Sequence, residues 1–176
     1  MKTALIVVDV QNHFVNGGIR DLPKKISEYI ENDGGKYDFV LFTQFVNMRG
    51  SNFTKLLGWD KCVSSPDIDI HSDLRKFVTK DNVFQKTAFS ALKSELLAEF
   101  LKKNGVGKLV FCGTDTEACV YCSAVDAFDI GFEDVKVLID LCGSSHGKEA
   151  HESVVKLLKD NLWGCVMNSS PRTASS

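Results

Sequence analysis

A cysteine set at the start of a helix and reached from a buried strand through a glycine break is placed to act as a nucleophile. The stretch Lys108–Val125, KLVFCGTDTEACVYCSAV, has that form: Leu109, Val110 and Phe111 stop at Gly113, a polar segment Thr114–Glu117 follows, and Cys119 opens a helical pattern. Unpaired N–H groups and the positive end of the helix dipole favour thiolate over thiol at such a position. Attack on an amide or similar carbonyl then needs a nearby positive charge, a group that moves protons, and donors for the oxyanion. Lys86 follows Val83–Gln85, which reads as a short strand, and Asp9 ends the run Ala4–Val8. Lys86 is suited to stabilise the thiolate, and Asp9 to take the thiol proton and return it to the leaving amine. Backbone N–H groups of the turn from Gly113 to Ala118 can face a tetrahedral oxyanion. Read singly, each residue is ordinary: a buried cysteine, a loop-capping aspartate, a solvated lysine.

Cys119 and Cys122 also form a C-x-x-C pair, which leaves a dithiol redox protein as an alternative. A zinc site recruiting His146 and His151 is opposed by the spacing, which is far longer than zinc-finger ligands allow. His151 reads as a hydrogen-bonded helix residue, and Asp140, after Val135–Ile139, as a structural anchor. No G-x-G-x-x-G, P-loop or G-x-S-x-G motif is present, so dinucleotide, phosphate-loop and serine-hydrolase chemistries lack their residues.

The elements that must carry these groups alternate. Ala4–Val8, Phe39 to about Val46, Val83–Gln85, Leu109–Phe111, Val135–Ile139 and Trp163–Met167 read as strands, the first an unbroken apolar run of the kind buried on both faces of a parallel sheet. Helices are expected from Leu22-Pro23 to Asp33, from Ser90 to Lys103 with Leu92, Leu96, Leu97, Phe100 and Leu101 on one face, from Ala118 to Gly131 with Tyr121, Val125 and Phe128 on one side, and from Lys148 to Leu158. The segment Asn47–Asp81 loses periodicity and reads as a long loop that shapes a site. Strands alternating with helices give a parallel sheet with helices on both faces, whose chemistry lies beyond the carboxyl ends of the strands. That rule gathers Asp9, Lys86, Cys119 and Asp140 at one rim. Residues 1–167 are expected to form a single domain, and 168–176 a disordered, Ser/Thr-rich tail.

The bulk composition fits one globular domain. The chain has 176 residues, 44% hydrophobic and 25% charged, with 21 Lys plus Arg against 23 Asp plus Glu. Near-balanced charge gives no nucleic-acid or membrane-binding face. The opening apolar block is shorter than a signal-peptide core, and no run approaches a membrane span, so a cytoplasmic location is expected, with six mostly free thiols.

Four segments together carry a resemblance. Ala4–Phe14, ALIVVDVQNHF, is similar to the D-x-Q-N-x-F opening of the isochorismatase-like cysteine hydrolase superfamily, which includes nicotinamidases and carbamoyl-amide hydrolases. Val83–Ala91, VFQKTAFSA, resembles its lysine segment, Gly113–Val120, GTDTEACV, its G-x-x-T-[DE]-x-C-V nucleophile motif, and Asp140–His151 the segment that follows. The resemblance implies a three-layer α/β/α fold on a mainly parallel six-stranded sheet and a catalytic triad of Asp9, Lys86 and Cys119. It also implies a cis peptide at Thr114–Asp115, with the N–H groups of Asp115 and Cys119 as oxyanion donors, and a homo-oligomer. The nicotinamidase branch binds a metal through D-x-H and a further histidine. Here Phe45-Val46-Asn47 stands at the first place, and Trp59-Asp60-Lys61-Cys62-Val63 lacks the histidine at the second. His71 alone does not rebuild that site, so no metal and no cofactor are expected, and nicotinamide becomes a poor candidate substrate. Asp115 stands where the family usually has a small or apolar side chain. The resulting expectation is a cysteine hydrolase that cleaves a C–N bond of a small neutral amide through a thioester, with Phe14, Phe45, Trp59 and Phe89 as pocket walls. The alternatives are an inactive relative kept as a binding or scaffold protein, and the dithiol redox protein.

Overall fold

Strand β1 (Lys2–Val8) is the centre of the computed structural model, which describes residues 1–169. Ala4 to Val8 are each at most 1% exposed, so both faces of the strand are covered, as its unbroken apolar run requires. β2 (Phe39–Phe45), β3 (Val83–Lys86), β4 (Val106–Gly113), β5 (Asp134–Cys142) and β6 (Val166–Met167) complete an all-parallel sheet in the order β3-β2-β1-β4-β5-β6. The sheet and its flanking helices form the expected six-stranded α/β architecture.

α1 (Leu22–Asp33) opens with proline in its first turn and buries Leu22, Ile26, Tyr29 and Ile30. α2 (Asn52–Leu57), α3 (Glu95–Lys103), α4 (Tyr121–Ile130) and α5 (Lys148–Asn161) follow. From β1 the chain steps outward through β2 to β3, then crosses back to β4 and steps the other way to β5 and β6. Right-handed crossovers therefore put α1 on one face and α3 and α4 on the other. Neighbouring strands β1 and β4 are the switch point, and a crevice opens beyond their carboxyl ends. Gly113 closes that point. Its φ is +119°, and a Cβ there would lie 2.2 Å from the carbonyl oxygen of Val8, so only glycine lets β4 stay paired with β1 to its last residue.

Four sequence expectations change. The Asn47–Asp81 segment contains α2, capped by Ser51, whose hydroxyl accepts the Thr54 N–H, and a 3-10 turn at Ser72–Phe77. The Ser90 helix begins as a separate 3-10 turn, Ala91–Lys93, and the change of phase leaves Leu96 exposed. α4 buries Ser123, Ala124 and Ala127 rather than Phe128, because small residues let the helix approach the sheet. Trp163 is 82% exposed in a turn, and β6 is reduced to Val166–Met167. Of the expected tail, Ser169 is held by its N–H and hydroxyl on the Asp140 carboxylate; the rest, 170–176, lies outside the described residues. Among the described residues no helix is long and apolar enough to cross a membrane.

Candidate active site

Asp9 follows the last residue of β1, Lys86 ends β3, and Cys119 follows the glycine that ends β4. Lys86 stands on an edge strand, two strands away from β1, and only a long side chain reaches the switch point from there. Its Nζ lies 2.6 Å from Asp9 Oδ2 and donates to Cys119 Sγ at 3.4 Å. Nζ also donates to the carbonyls of Ala88 (2.7 Å) and Phe89 (2.9 Å), and sits 5.1 Å from the centre of the Phe45 ring. Asp9 and Lys86 are almost wholly buried, at 1% and 2% exposure. A buried lysine so surrounded keeps its proton. Burial pulls its pKa down, but Asp9 and Cys119 more than offset this and leave it raised.

Asp9 adopts a positive φ of 47°, an uncommon conformation for a residue with a side chain. Thr43 holds it there: its hydroxyl donates to Asp9 Oδ1 at 2.7 Å and accepts the Asp9 N–H at 3.2 Å. Thr114 Oγ1 donates to the Asp9 carbonyl across the switch point. Although Lys86 lies close, Asp9 Oδ2 has no well-directed hydrogen bond, and that leaves a lone pair open toward the thiol.

Cys119 sits in a five-residue π turn, Thr116–Val120, that runs into α4. Ser123 fastens this turn: its hydroxyl donates to the Cys119 carbonyl at 2.6 Å and accepts the Ala91 N–H at 2.8 Å. The Thr114–Asp115 peptide is cis. One sequence expectation is reversed at the sulfur. The resting thiol is pushed well up, first by burial and then by the Asp9 carboxylate, and Lys86 offsets only part of this. The helix start therefore does not produce a preformed thiolate. Iodoacetamide labelling of Cys119, followed by peptide mass spectrometry, is expected to accelerate only above the ordinary thiol range near about pH 8.5 and to lag behind a free cysteine peptide at pH 7. Labelling at pH 7 as fast as that of an activated thiolate would contradict this.

Above the sulfur lies a cavity of about 330 Å³. Phe14, Phe45, Trp59 and Phe89 all line it, as the sequence reading expects. Phe14 and Trp59 stack with their planes 18° apart, and Phe53 makes edge contacts with Phe45 and Phe89, both at 4.9 Å. Phe53, which reaches the cavity from α2, was not among the expected wall residues. Its signal was the capped segment after Ser51. Gln11 was also missed as a positioning residue. Its amide donates to the Phe45 and Ile68 carbonyls and accepts the Phe45 N–H at 2.7 Å, tying the end of β1 to the aromatic wall. Asp115, Ser145 and His146 line the same cavity. Asp140 does not join this rim. β5 continues to Cys142, and the Asp140 carboxylate faces outward to Ser169. His151 bonds Thr116 Oγ1 at 2.8 Å, the structural role expected of it.

A family model described as the Isochorismatase domain matches residues 3–169. The chain belongs to the isochorismatase-like hydrolase family. It is 30% identical over 159 residues to the nicotinamidase/pyrazinamidase of Mycobacterium tuberculosis, a match covering 78% of this chain and 84% of that one. It is 36% identical over 72 residues to isochorismatase domain-containing protein 2 of Xenopus laevis, covering 41% of this chain and 31% of the relative, well under two thirds of its length. In fold it is similar to an isochorismatase-like hydrolase from Alkaliphilus metalliredigens, with a TM-score of 0.80, 21% identity and 96% of each chain covered.

The residues at the place of the nicotinamidase metal do not suit an ion. The Asn47 side chain donates to the Trp59 carbonyl and accepts from Ser51, Phe45 occupies the position of the first ligand with an aromatic ring, and the His71 imidazole caps the Asp73 N–H. Burial pushes the nearby Cys62 thiol up to about 12, away from the thiolate that a metal requires. The six cysteines are free thiols, and Cys122 stands half-buried on α4.

Proposed function

We propose that this isochorismatase-like hydrolase cleaves a C–N bond of a small amide through a thioester on Cys119, with Asp9 and Lys86 completing the machinery. The observation that carries this is the Lys86 ammonium bridging Asp9 (2.6 Å) and the Cys119 sulfur (3.4 Å) at the base of an aromatic cavity. An amide-hydrolysing relative, the Mycobacterium tuberculosis nicotinamidase/pyrazinamidase, supports the reaction type.

The thiol stays protonated until substrate arrives, so its proton moves as the sulfur attacks. Asp9 Oδ2 takes it, and Lys86 keeps the carboxylate and the developing thiolate from repelling one another. The carbonyl oxygen becomes an oxyanion facing the N–H groups of Asp115 and Cys119. Among the described residues no backbone carbonyl outside the π turn takes either of these N–H groups. Collapse of the tetrahedral intermediate passes the proton from Asp9 to the leaving nitrogen and releases ammonia or an amine. Water, deprotonated by Asp9, then attacks the thioester and frees the carboxylic acid and the thiol.

Rapid acid quench with a slowly turned-over amide, read by intact-protein mass spectrometry, tests this. The expected result is an acyl adduct of substrate mass minus ammonia on the peptide that carries Cys119. Ammonia release with no such adduct at any quench time would sink the thioester route.

A further inference from the structure

Beside its aromatic residues, the cavity lining carries a carboxylate. Asp115 supplies it at 5% exposure, and its two carboxylate oxygens accept the Ser145 N–H at 2.7 Å and the Ser145 hydroxyl at 2.8 Å. These bonds fix the carboxylate and leave lone pairs on both oxygens. Behind it, Glu117 accepts from Ser144 and bonds the His146 ring at 2.8 Å through one oxygen, while its other oxygen is buried without a partner. His146 is thereby engaged with Glu117, and its nitrogen lies 4.0 Å from Asp115. No lysine or arginine lines the cavity among the described residues, and the Lys86 charge beneath it is matched by Asp9.

An anionic substrate would meet Asp115 with no lysine or arginine in the lining to compensate it. A neutral one would leave the fixed carboxylate facing an uncharged group in a partly desolvated site. A cation gains twice, from a charge-assisted contact with Asp115 and from the electron-rich rings of Phe14, Phe53 and Trp59. From this pairing of a pinned carboxylate with an aromatic box, we propose that the substrate is a small amide carrying a permanent or protonated ammonium group, with Asp115 as its specificity-determining residue. This deepens the hydrolase reading above, on which it rests, and replaces the neutral amide expected from sequence.

The test uses an isosteric pair: trimethylammonioacetamide and its uncharged counterpart 3,3-dimethylbutanamide, with malonamate as the anion. Binding to Cys119→Ala is measured by calorimetry in the presence of EDTA, so that no turnover or metal contributes. The cation is expected to bind about ten-fold tighter than the isostere, with malonamate weakest. Adding Asp115→Asn should bring the ratio close to one. Should that variant fail to fold, Glu117→Gln is expected to lower the ratio about three-fold. Equal binding of the pair, tighter binding of malonamate, or a ratio unchanged in both variants would overturn the proposal. So would zinc binding that depends on Asp115, Glu117 and His146 and expels the ammonium compound, since the cation taken there would then be a metal. Ammonia release by the wild-type protein is scored separately. A binding preference without turnover of any of the three amides upholds the cation site and counts against the thioester route alone, which the acyl-adduct experiment then decides.

Discussion

Cys119→Ala is expected to lower amide turnover by roughly 10⁴-fold or more while leaving the fold in place. In the thioester route proposed above the acyl bond forms on the sulfur that touches Lys86, and no rearrangement of Asp9 and Lys86 replaces it. The substitution removes one buried atom and one weak acceptor from Lys86, whose remaining bonds to Asp9, Ala88 and Phe89 persist. The stability loss should therefore be small, about 1 kcal/mol. Cys119→Ser is the sharper comparison. It keeps a hydroxyl toward Asp9 and Lys86 but supplies a poorer nucleophile in a site shaped around sulfur, so its activity should also fall by orders of magnitude. Ammonia release measured beside circular dichroism and thermal melts checks both. Activity within ten-fold of wild type in Cys119→Ala would mean that water attacks the amide directly and that Cys119 serves packing alone, whereas the same result in Cys119→Ser alone would mean that a hydroxyl suffices as the nucleophile.

The parts of this site that were legible in sequence are those fixed by the direction of the strands. An unbroken apolar run ending in a charge told where Asp9 would stand, and the glycine break told where β4 would stop, because a parallel sheet presents all its carboxyl ends at one rim. Asp140 shows the limit of the same logic: a charge after an apolar run also occurs inside a strand that continues, as β5 does to Cys142. What was not legible depended on side chains meeting across long sequence separations. Thr43 and Asp9 are 34 residues apart, and Asp115 and Ser145 are 30 apart. No local period announces such pairs. The state of the thiol was misread for a related reason. Helix-start position is visible in a sequence, whereas the burial that outweighs it is a property of the packed cavity. Phe53 was obscured by the loss of periodicity around it, since a six-residue helix is too short to show a repeating face.

Lys86→Met should cost both activity and stability, and the two losses separate its roles. The substitution leaves the Asp9 carboxylate at 1% exposure with its cationic partner gone, a situation that typically costs about 3–5 kcal/mol. Turnover should become undetectable, because sulfur and carboxylate would then share a dry site with no positive charge between them. The pH dependence follows from the raised lysine pKa. A base bound more tightly to its proton in the folded state contributes fully below its unfolded value, about 10.4, and the contribution fades as pH rises through the higher folded value. Urea titrations should therefore show the full gap between wild type and Lys86→Met at pH 7, narrowing only in strongly alkaline solution. Pairing Lys86→Met with Asp9→Asn removes the stranded charge and should recover much of the lost stability without any activity. A double variant as unstable as Lys86→Met alone would place the cost in packing against Phe45 and the Ala88 and Phe89 carbonyls rather than in the ion pair. Recovery of stability together with turnover would show that the chemistry does not pass through Asp9 and Lys86 at all.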